Sequence, residues 1–285
     1  MRRILVTGGN KGIGLAIVEA ILDQHEDTFV YLGSRDRARG QAAAAGLVKE
    51  HAAWTDRIAV VALDVASDRS VTEAAALIES LYGIVNNAGL NSPELAVTLQ
   101  TNVLGIQRVC AALLPRLDAT TGRIVNVTSA AGPIFVATCS PERQRFFLDA
   151  ALPWPQLKTF VDDCLARAGD AAALREMGLA EAEPYGLSKA CANTLTMILA
   201  REHAHLRINA CTPGFIDTDL TRVYLASSGK SAAELGMKTP AEGAKAPLHM
   251  LFGALEGNGR FYGSDALRSP LDRYRSPGSA PFTGA

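Results

Sequence analysis

Short apolar runs rich in β-branched residues alternate with longer alanine- and leucine-rich stretches, and this alternation restricts the possible folds more than any other feature. Each short run is bounded by glycine, aspartate or asparagine and is typical of a strand buried on both faces. The runs are Ile4–Thr7, Thr28–Gly33, Ile58–Leu63, Gly83–Val85, Arg123–Val127 and Arg207–Ala210. The stretches with helical periodicity are Gly12–Asp23, Arg37–Ala53, Asp68–Leu81, Pro93–Leu117 and Tyr185–His203. The pattern predicts an α/β fold, a doubly wound parallel sheet with helices on both faces.

The spacing of the predicted strands indicates one domain with an insertion. The chain has 285 residues, a length that α/β folds often use for a single domain. After the strand that begins at Arg123, the next strand begins only at Arg207, and one αβ crossover does not need that many residues. We expect a single domain over 1–285, with a helical insertion at about 133–184. The predicted helical patches in the insertion are Pro141–Ala150, Gln156–Arg167 and Asp170–Leu179.

The last part of the chain carries weaker signals. Thr239, Pro240 and Glu242 form the pattern of a helix N-terminus, with a capping residue, a proline and a glutamate. A last short strand is predicted at Arg260–Tyr262. Residues 268–285 are rich in arginine, serine, proline and glycine, which suits an extended or mobile tail.

Composition and charge exclude several classes of protein. Hydrophobic residues make up 48% and charged residues 20%, as in a globular protein. The 28 Lys and Arg against 29 Asp and Glu give a net charge of -1, without the basic excess of nucleic-acid or membrane-surface binders. The longest charge-free stretch, Ile124–Pro141, contains polar residues, and the apolar run after Met1 is too short for a signal peptide. The five cysteines are scattered, which predicts reduced thiols and no metal site. We expect a cytoplasmic protein that binds neither nucleic acid nor membrane.

A glycine-rich turn follows the first predicted strand and leads directly into the first helix. Such a turn brings bare backbone and a helix N-terminus against a pyrophosphate. Its spacing differs from the commonest dinucleotide fingerprint, so a tight turn without a ligand is an alternative. The candidate residues are Gly8, Asn10, Lys11, Gly12, Ile13 and Gly14.

The residues after the second predicted strand bear on the choice of cofactor. An NAD-binding fold of this kind normally carries an acidic residue there for the ribose 2′-hydroxyl, whereas this chain has Ser34 followed by Arg35. A guanidinium binds a 2′-phosphate in a forked geometry, and Lys11 can approach the same phosphate. NADP(H) is therefore predicted over NAD(H). In the alternatives, Asp36 is a displaced ribose acid or Arg35 is a solvated surface charge.

Four polar residues form a candidate catalytic set. Tyr185 and Lys189 are four residues apart, so on a helix they lie on one face. A neighbouring cation favours the phenolate and lowers the tyrosine pKa, which lets Tyr185 act as a general acid or base. Ser129 ends the fifth predicted strand, where ligands of parallel sheets gather, and Asn102 lies on the preceding helix. Each residue also has a purely structural interpretation, as a loop cap, a helix-distorting residue or a core tyrosine.

In order along the chain, these motifs resemble those of the short-chain dehydrogenase/reductase family. The resemblance implies a Rossmann-like fold. The serine and arginine at 34–35 and the long insertion further resemble the monomeric NADPH-dependent carbonyl reductase branch, so we expect a monomer. The matching residues are Thr7-Gly8, Gly12-Ile13-Gly14, Asn86-Asn87-Ala88-Gly89, Asn102, Ser129, Tyr185 with Lys189, and Pro213-Gly214 followed by Thr218.

The resemblance also implies a role for each matched position. Tyr185 would protonate the substrate carbonyl oxygen as hydride arrives, and Ser129 would hydrogen-bond that oxygen. Lys189 would hold the nicotinamide ribose and lower the Tyr185 pKa, and Asn102 would anchor a water in a proton relay. Asp64 and Val65 would border the adenine, Asn86 and Gly89 its ribose side, and Ile216 and Thr218 the nicotinamide amide. Ala88, Pro213 and Gly214 complete the predicted cofactor-binding set.

The expected reaction is NADPH-dependent reduction of a ketone, aldehyde or quinone to the alcohol or hydroquinone. The alternatives are a ketoreductase dedicated to one secondary metabolite or steroid-like ketone, and a catalytically silent NADP(H)-binding regulator. A regulator of this kind usually lacks one of the catalytic residues, whereas all four are present here. Two segments depart from the family pattern, since the stretch before Asn86 is short and the link from Gly89 to Asn102 is trimmed.

Overall fold

A mostly parallel sheet forms the centre of the computed structural model, which describes residues 1–180, 183–222, 225 and 228–284. Within this part of the chain the sheet has eight strands in the order β3-β2-β1-β4-β5-β6-β7-β8. Neighbouring strands are parallel except for β7 and β8, which are antiparallel. The strands are β1 (Arg2–Thr7), β2 (Thr28–Ser34), β3 (Ile58–Ala62), β4 (Gly83–Asn86), β5 (Arg123–Val127), β6 (Arg207–Cys211), β7 (Phe261–Tyr262) and β8 (Arg268–Ser269). The predicted doubly wound α/β fold is confirmed.

Helices cover both faces of this sheet because side chains alternate along each strand. On β1, Ile4 and Val6 pack in one buried cluster, whereas Leu5 between them packs in the other. The helices are α1 (Gly12–Gln24), α2 (Arg37–Glu50), α3 (Asp68–Ala76), α4 (Leu95–Asn102), α5 (Leu104–Leu113), α6 (Ala131–Thr138), α7 (Pro141–Leu148), α8 (Trp154–Ala166), α9 (Ala171–Glu176), α10 (Pro184–Glu202) and α11 (Pro240–Phe252). Two 3₁₀ turns cover Ala52–Arg57 and Leu114–Arg116. The capping box predicted at Thr239 and Glu242 is present at the start of α11.

Two predicted helices are wrong at their C-terminal ends, and a third is divided. The helix predicted to reach Ala53 ends at Glu50, and the one predicted to reach Leu81 ends at Ala76. Leu81 instead forms a parallel bridge with Leu117, so its backbone extends the sheet. The single helix predicted over 93–117 is divided at Val103, where the backbone has φ -117° and ψ -64°.

The divided helix is also long and apolar. By length and composition alone, Leu95–Arg116 could cross a membrane. More than half of it is buried inside the protein, and α4 and α5 supply Leu99, Val103 and Val109 to the larger buried cluster. These helices are therefore part of the core of the domain.

The segment between Ser129 and Tyr185 forms helices α6 to α9 in its described part. Helix α6 was not among the helical patches predicted for the insertion. Its Pro133 lies near the helix start, where its missing N–H costs no hydrogen bond. Phe147 and Phe160 pack edge to face with a centroid distance of 5.6 Å, in one buried cluster with Leu187 of α10. Residues 181 and 182 of the predicted insertion lie outside the described residues.

The C-terminal segment begins with β8 and then lies against the domain. Arg275 forms an ion pair with Asp265 at 2.7 Å, and both side chains are largely buried. Burial alone would raise the pKa of Asp265, but hydrogen bonds from Arg275 and from the backbone of Gly278 and Leu267 lower it to about 2. Residue 285, the end of the predicted tail, lies outside the described residues.

Candidate active site

A cleft opens at the carboxyl ends of the parallel strands, which is where ligands bind in open α/β sheets. Its cavity has a volume of about 700 Å³. The predicted residues that line it are Gly8, Asn10, Lys11, Gly12, Ile13, Gly14, Arg35, Asp64, Val65, Ala88, Gly89, Ser129, Tyr185, Lys189, Pro213, Gly214, Ile216 and Thr218. Of the other predicted residues, Ser34, Asn86 and Asn102 are buried outside the described lining of the cavity.

The glycine turn presents bare backbone to the cleft. Gly8 has a positive φ of 64°, a conformation that favours glycine. A Cβ atom on Gly14 would lie 2.2 Å from the carbonyl oxygen of Gly8, so the start of α1 packs directly against the turn. Among the described residues, no side chain caps this helix N-terminus, and its first N–H groups can bind an anion.

Asn87 connects the glycine turn to the end of β4 through hydrogen bonds. Its Nδ2 donates to the carbonyl oxygens of Thr7 at 2.9 Å and Gly8 at 3.3 Å. The backbone N–H groups of Asn87 and Ala88 donate to Thr7 Oγ1. Asn87 lines the cleft and is absent from the predicted site residues, although it belongs to the matched motif at Asn86-Asn87-Ala88-Gly89. Its neighbour Asn86 instead donates to Asn126 Oδ1 at 2.9 Å in the core.

At the end of β2, the three residues that bear on the choice between NADP(H) and NAD(H) have different surroundings. They are Ser34, Arg35 and Asp36. The buried Ser34 hydroxyl donates to the carbonyl oxygen of Asp36 at 2.7 Å. The Asp36 carboxylate accepts the backbone N–H of Arg39 and caps α2, which accounts for this carboxylate without a ribose contact. Arg35 is exposed and lines the cleft, so its guanidinium is the group there that can reach a phosphate.

Lys11 contacts the loop that follows β6. Its Nζ lies 2.7 Å from Asp219 Oδ2, and Arg222 Nη1 lies 2.7 Å from Asp219 Oδ1. The hydrogen bond from Lys11 lowers the pKa of Asp219. Exposed ion pairs of this kind contribute little stability, so Lys11 can exchange this carboxylate for a phosphate.

Tyr185, Lys189 and Ser129 all line the cleft. Lys189 Nζ lies 5.5 Å from the centroid of the Tyr185 ring and donates to the carbonyl oxygen of Val127 at 3.1 Å. Burial lowers the pKa of Lys189 to about 8. Ser129 Oγ accepts the backbone N–H of Ala131 at 3.1 Å. The arrangement places a cation beside a phenol ring, in a cleft whose lining also includes the Ser129 hydroxyl.

Asn102 lies outside the described lining of the cavity, and its side chain forms hydrogen bonds with other residues of the chain. Its Oδ1 accepts the N–H of Leu90 at 3.0 Å, and its Nδ2 donates to the Leu90 carbonyl oxygen at 2.9 Å. The same Nδ2 donates to Ser188 Oγ at 2.9 Å. Both side-chain ends of Asn102 are therefore engaged in positioning other groups.

Comparison with known proteins agrees with this geometry. The family model described as short chain dehydrogenase matches residues 2–140. Carbonyl reductase (NADPH) 1 from Pongo abelii is 32% identical over 269 residues, which cover 88% of this chain and 90% of that protein. The chain belongs to the short-chain dehydrogenase/reductase family. Carbonyl reductase (NADPH) 3 from Rattus norvegicus is 33% identical over 275 residues and is matched over 90% of its length, with 87% of this chain covered.

A solved structure gives the same result for the fold of this short-chain dehydrogenase/reductase. Menthone neomenthol reductase from Mentha piperita matches it with a TM-score of 0.74 and 26% identity. The match covers 92% of this chain and 98% of that one. The predicted family is confirmed, and so is the predicted resemblance of this chain to the carbonyl reductase branch of that family.

Proposed function

We propose that this enzyme reduces the carbonyl group of a small ketone, aldehyde or quinone with NADPH, and that Tyr185 donates the proton. The observation that carries the proposal is the buried Lys189 ammonium beside the Tyr185 ring, in a cleft that also contains the glycine turn. The names of the Pongo abelii and Rattus norvegicus relatives, both carbonyl reductases with NADPH, support it.

The cofactor is NADP(H), as predicted, and the residues of the cleft fit it. Gly14 lets the start of α1 pack directly against the glycine turn, because a Cβ atom there would overlap the Gly8 carbonyl oxygen. The first N–H groups of α1, which no described side chain caps, can bind a pyrophosphate. Arg35 offers a guanidinium, and position 34 carries no carboxylate. We assign the pyrophosphate to residues 8–14, the 2′-phosphate to Arg35 and Lys11, and the nicotinamide ribose to Lys189. When bound, NADPH supplies the hydride for the carbonyl carbon.

The side chains of the cleft handle the carbonyl oxygen and its proton. Ser129 Oγ already accepts an N–H from Ala131, so its own proton can be donated to the substrate oxygen. Tyr185 transfers its phenol proton to that oxygen, and the Lys189 cation stabilises the phenolate that remains. Because the Asn102 side chain binds Leu90 and Ser188, we assign the relay water to the main chain of Asn102.

A ketoreductase dedicated to one ketone is the second candidate. The similarity to menthone neomenthol reductase, a protein named for one ketone and its alcohol, favours it. The two candidates share the chemistry and differ in the number of carbonyl compounds accepted. We also propose that the enzyme is a monomer, because Phe147 and Phe160 of the insertion are buried against their own chain. A cytoplasmic location is proposed from the sequence alone.

The test follows NADPH consumption with a panel of quinones, aromatic ketones, aldehydes and steroids. Tyr185→Phe should lower turnover by ~10²–10⁴ and leave NADPH binding unchanged. Tyr82→Phe is the matched control, since the Tyr82 hydroxyl donates to the Leu251 carbonyl oxygen outside the cleft. Full activity in Tyr185→Phe, or no turnover of any panel compound, would contradict the proposal, and rapid turnover of a single compound would favour the dedicated ketoreductase.

A further inference from the structure

Side-chain hydrogen bonds engage both backbone polar groups of Tyr185 at the start of α10. Its N–H donates to Glu183 Oε1 at 3.0 Å, and its carbonyl oxygen accepts the hydroxyl of Ser188 at 2.7 Å. Pro184, between Glu183 and Tyr185, is the first residue of the helix, and its ring restricts the backbone. The main chain that carries the phenol therefore has few ways to move.

Ser188 connects this turn to a distant part of the chain. The side chain is fully buried, and its Oγ accepts Asn102 Nδ2 at 2.9 Å while it donates to Tyr185. The hydroxyl of a serine in a helix commonly donates to the carbonyl oxygen one turn back. The bond from Ser188 to the Tyr185 carbonyl therefore has a local explanation. The bond from Asn102, 86 residues earlier in the sequence, has no such local explanation.

Asn102 carries the connection on to the loop that lines the cleft. Its amide binds both backbone groups of Leu90. At the preceding residue, Gly89, a Cβ atom would lie 3.3 Å from Asn102 Oδ1 and 3.5 Å from Lys189 Nζ. A continuous series of hydrogen bonds therefore runs from the loop at Leu90 through Asn102 and Ser188 to the carbonyl of Tyr185.

We propose that Ser188 is a positioning residue, whose hydroxyl fixes the first turn of α10 against the loop at Gly89–Leu90. The inference rests on the proposed role of Tyr185 as proton donor. Without the hydroxyl, the Tyr185 carbonyl loses its side-chain donor and Asn102 Nδ2 loses one of its two acceptors. The phenol can then leave the position in which its proton points at the substrate carbonyl oxygen bound by Ser129. Small misplacements of reacting groups lower the reaction rate.

Three variants test this role with the panel compound that turns over fastest. Ser188→Ala should lower kcat about tenfold, with the KM for the substrate and the Kd for NADPH nearly unchanged. Ser188→Thr keeps the hydroxyl and should restore kcat. Thr194→Val is the matched control, because it removes another buried hydroxyl of α10, one that donates to the Phe147 carbonyl. It should lower the unfolding temperature and leave kcat unchanged.

Several results would overturn the role of Ser188. They are a wild-type kcat in Ser188→Ala, an equal loss of kcat in Thr194→Val, or a kcat in Ser188→Thr as low as in Ser188→Ala. If Ser188→Ala does not fold, Ser188→Cys replaces it, since a thiol is a weak donor of similar size, and a wild-type kcat there overturns the role. Tyr185→Phe is measured alongside. If it is inactive while Ser188→Ala is normal, only the positioning role fails, whereas an active Tyr185→Phe refutes the proposed function.

Discussion

Arg35 and Lys11 show how two cations of one cleft can have different roles. Lys11 is paired with Asp219, whereas the exposed Arg35 side chain lies on the cleft beside the buried Ser34. A cation that already has a carboxylate partner gives up that contact when it binds a phosphate. Arg35 should therefore contribute more than Lys11 to the preference for NADPH over NADH.

Arg35→Ser tests this preference at the scale of one residue. Loss of a charged hydrogen bond to the 2′-phosphate should weaken NADPH binding by about tenfold or more. NADH binding should change little, because that cofactor lacks the phosphate. Fluorescence titration of both cofactors measures the two effects. Arg37→Ser is the control, since Arg37 is exposed at the start of α2 outside the described cleft lining. Equal weakening of NADH and NADPH by Arg35→Ser would contradict the assignment.

At the scale of elements, the cofactor site depends on how closely α1 approaches the turn before it. The carbonyl oxygen of Gly8 and the amide of Asn87 both lie where a Cβ on Gly14 would be. The same Asn87 amide binds the end of β1. The strand, turn and helix therefore form one unit, and a side chain at position 14 would separate its parts.

Gly14→Ala should disrupt this unit. Its Cβ would meet the Gly8 carbonyl oxygen at 2.2 Å, and overpacking of this kind typically costs ~1–3 kcal/mol of unfolding free energy. NADPH binding should be lost as α1 moves away from the turn. The control is Gly46→Ala in α2, where a Cβ meets no atom within 4 Å, so helix propensity alone should stabilise the protein by roughly 0.5–1 kcal/mol. Denaturant unfolding and NADPH titration would measure both variants, and unchanged binding in Gly14→Ala would be contrary to this account.

At the scale of the whole molecule, the insertion and the body share one core. Phe147 and Phe160 pack with Leu187 and Leu195 of α10. The Thr194 hydroxyl donates to the Phe147 carbonyl at 3.0 Å, which connects α7 to α10. Burying each large apolar side chain is worth ~1.5–3 kcal/mol, and here the protein's own chain provides that burial.

Light scattering at micromolar concentration should find a monomer. Phe147 and Phe160 of the insertion are already buried within their own chain, so they do not need a second subunit. Phe147→Ser is an informative variant, because it should lower the free energy of unfolding without changing an assembly. A stable dimer or tetramer that dissociates when these aromatic residues become polar would refute the monomer.

Local patterns were enough to predict the strand order along the chain, the glycine turn, the capping box at Thr239 and the pairing of Tyr185 with Lys189. Each depends on residues within about one helical turn, where backbone geometry alone sets which side chains meet. The predicted C-terminal limits of α2 and α3 were wrong, because helical periodicity in the sequence continues past the point where the chain leaves the helix. Thus Asp68–Leu81 looked like one helix, although Leu81 pairs with Leu117.

Only the tertiary structure decided which polar groups face the cleft. The sequence could not choose between Asn86, which binds Asn126 in the core, and Asn87, which binds the glycine turn. It also could not show that Lys11 meets Asp219, 208 residues away, or that Asn102 meets Ser188. These contacts form where separate elements pack together, and the position of each element is set by the burial of its apolar face against the sheet. Polar partners that are distant in sequence are a consequence of that packing, so no local pattern specifies them.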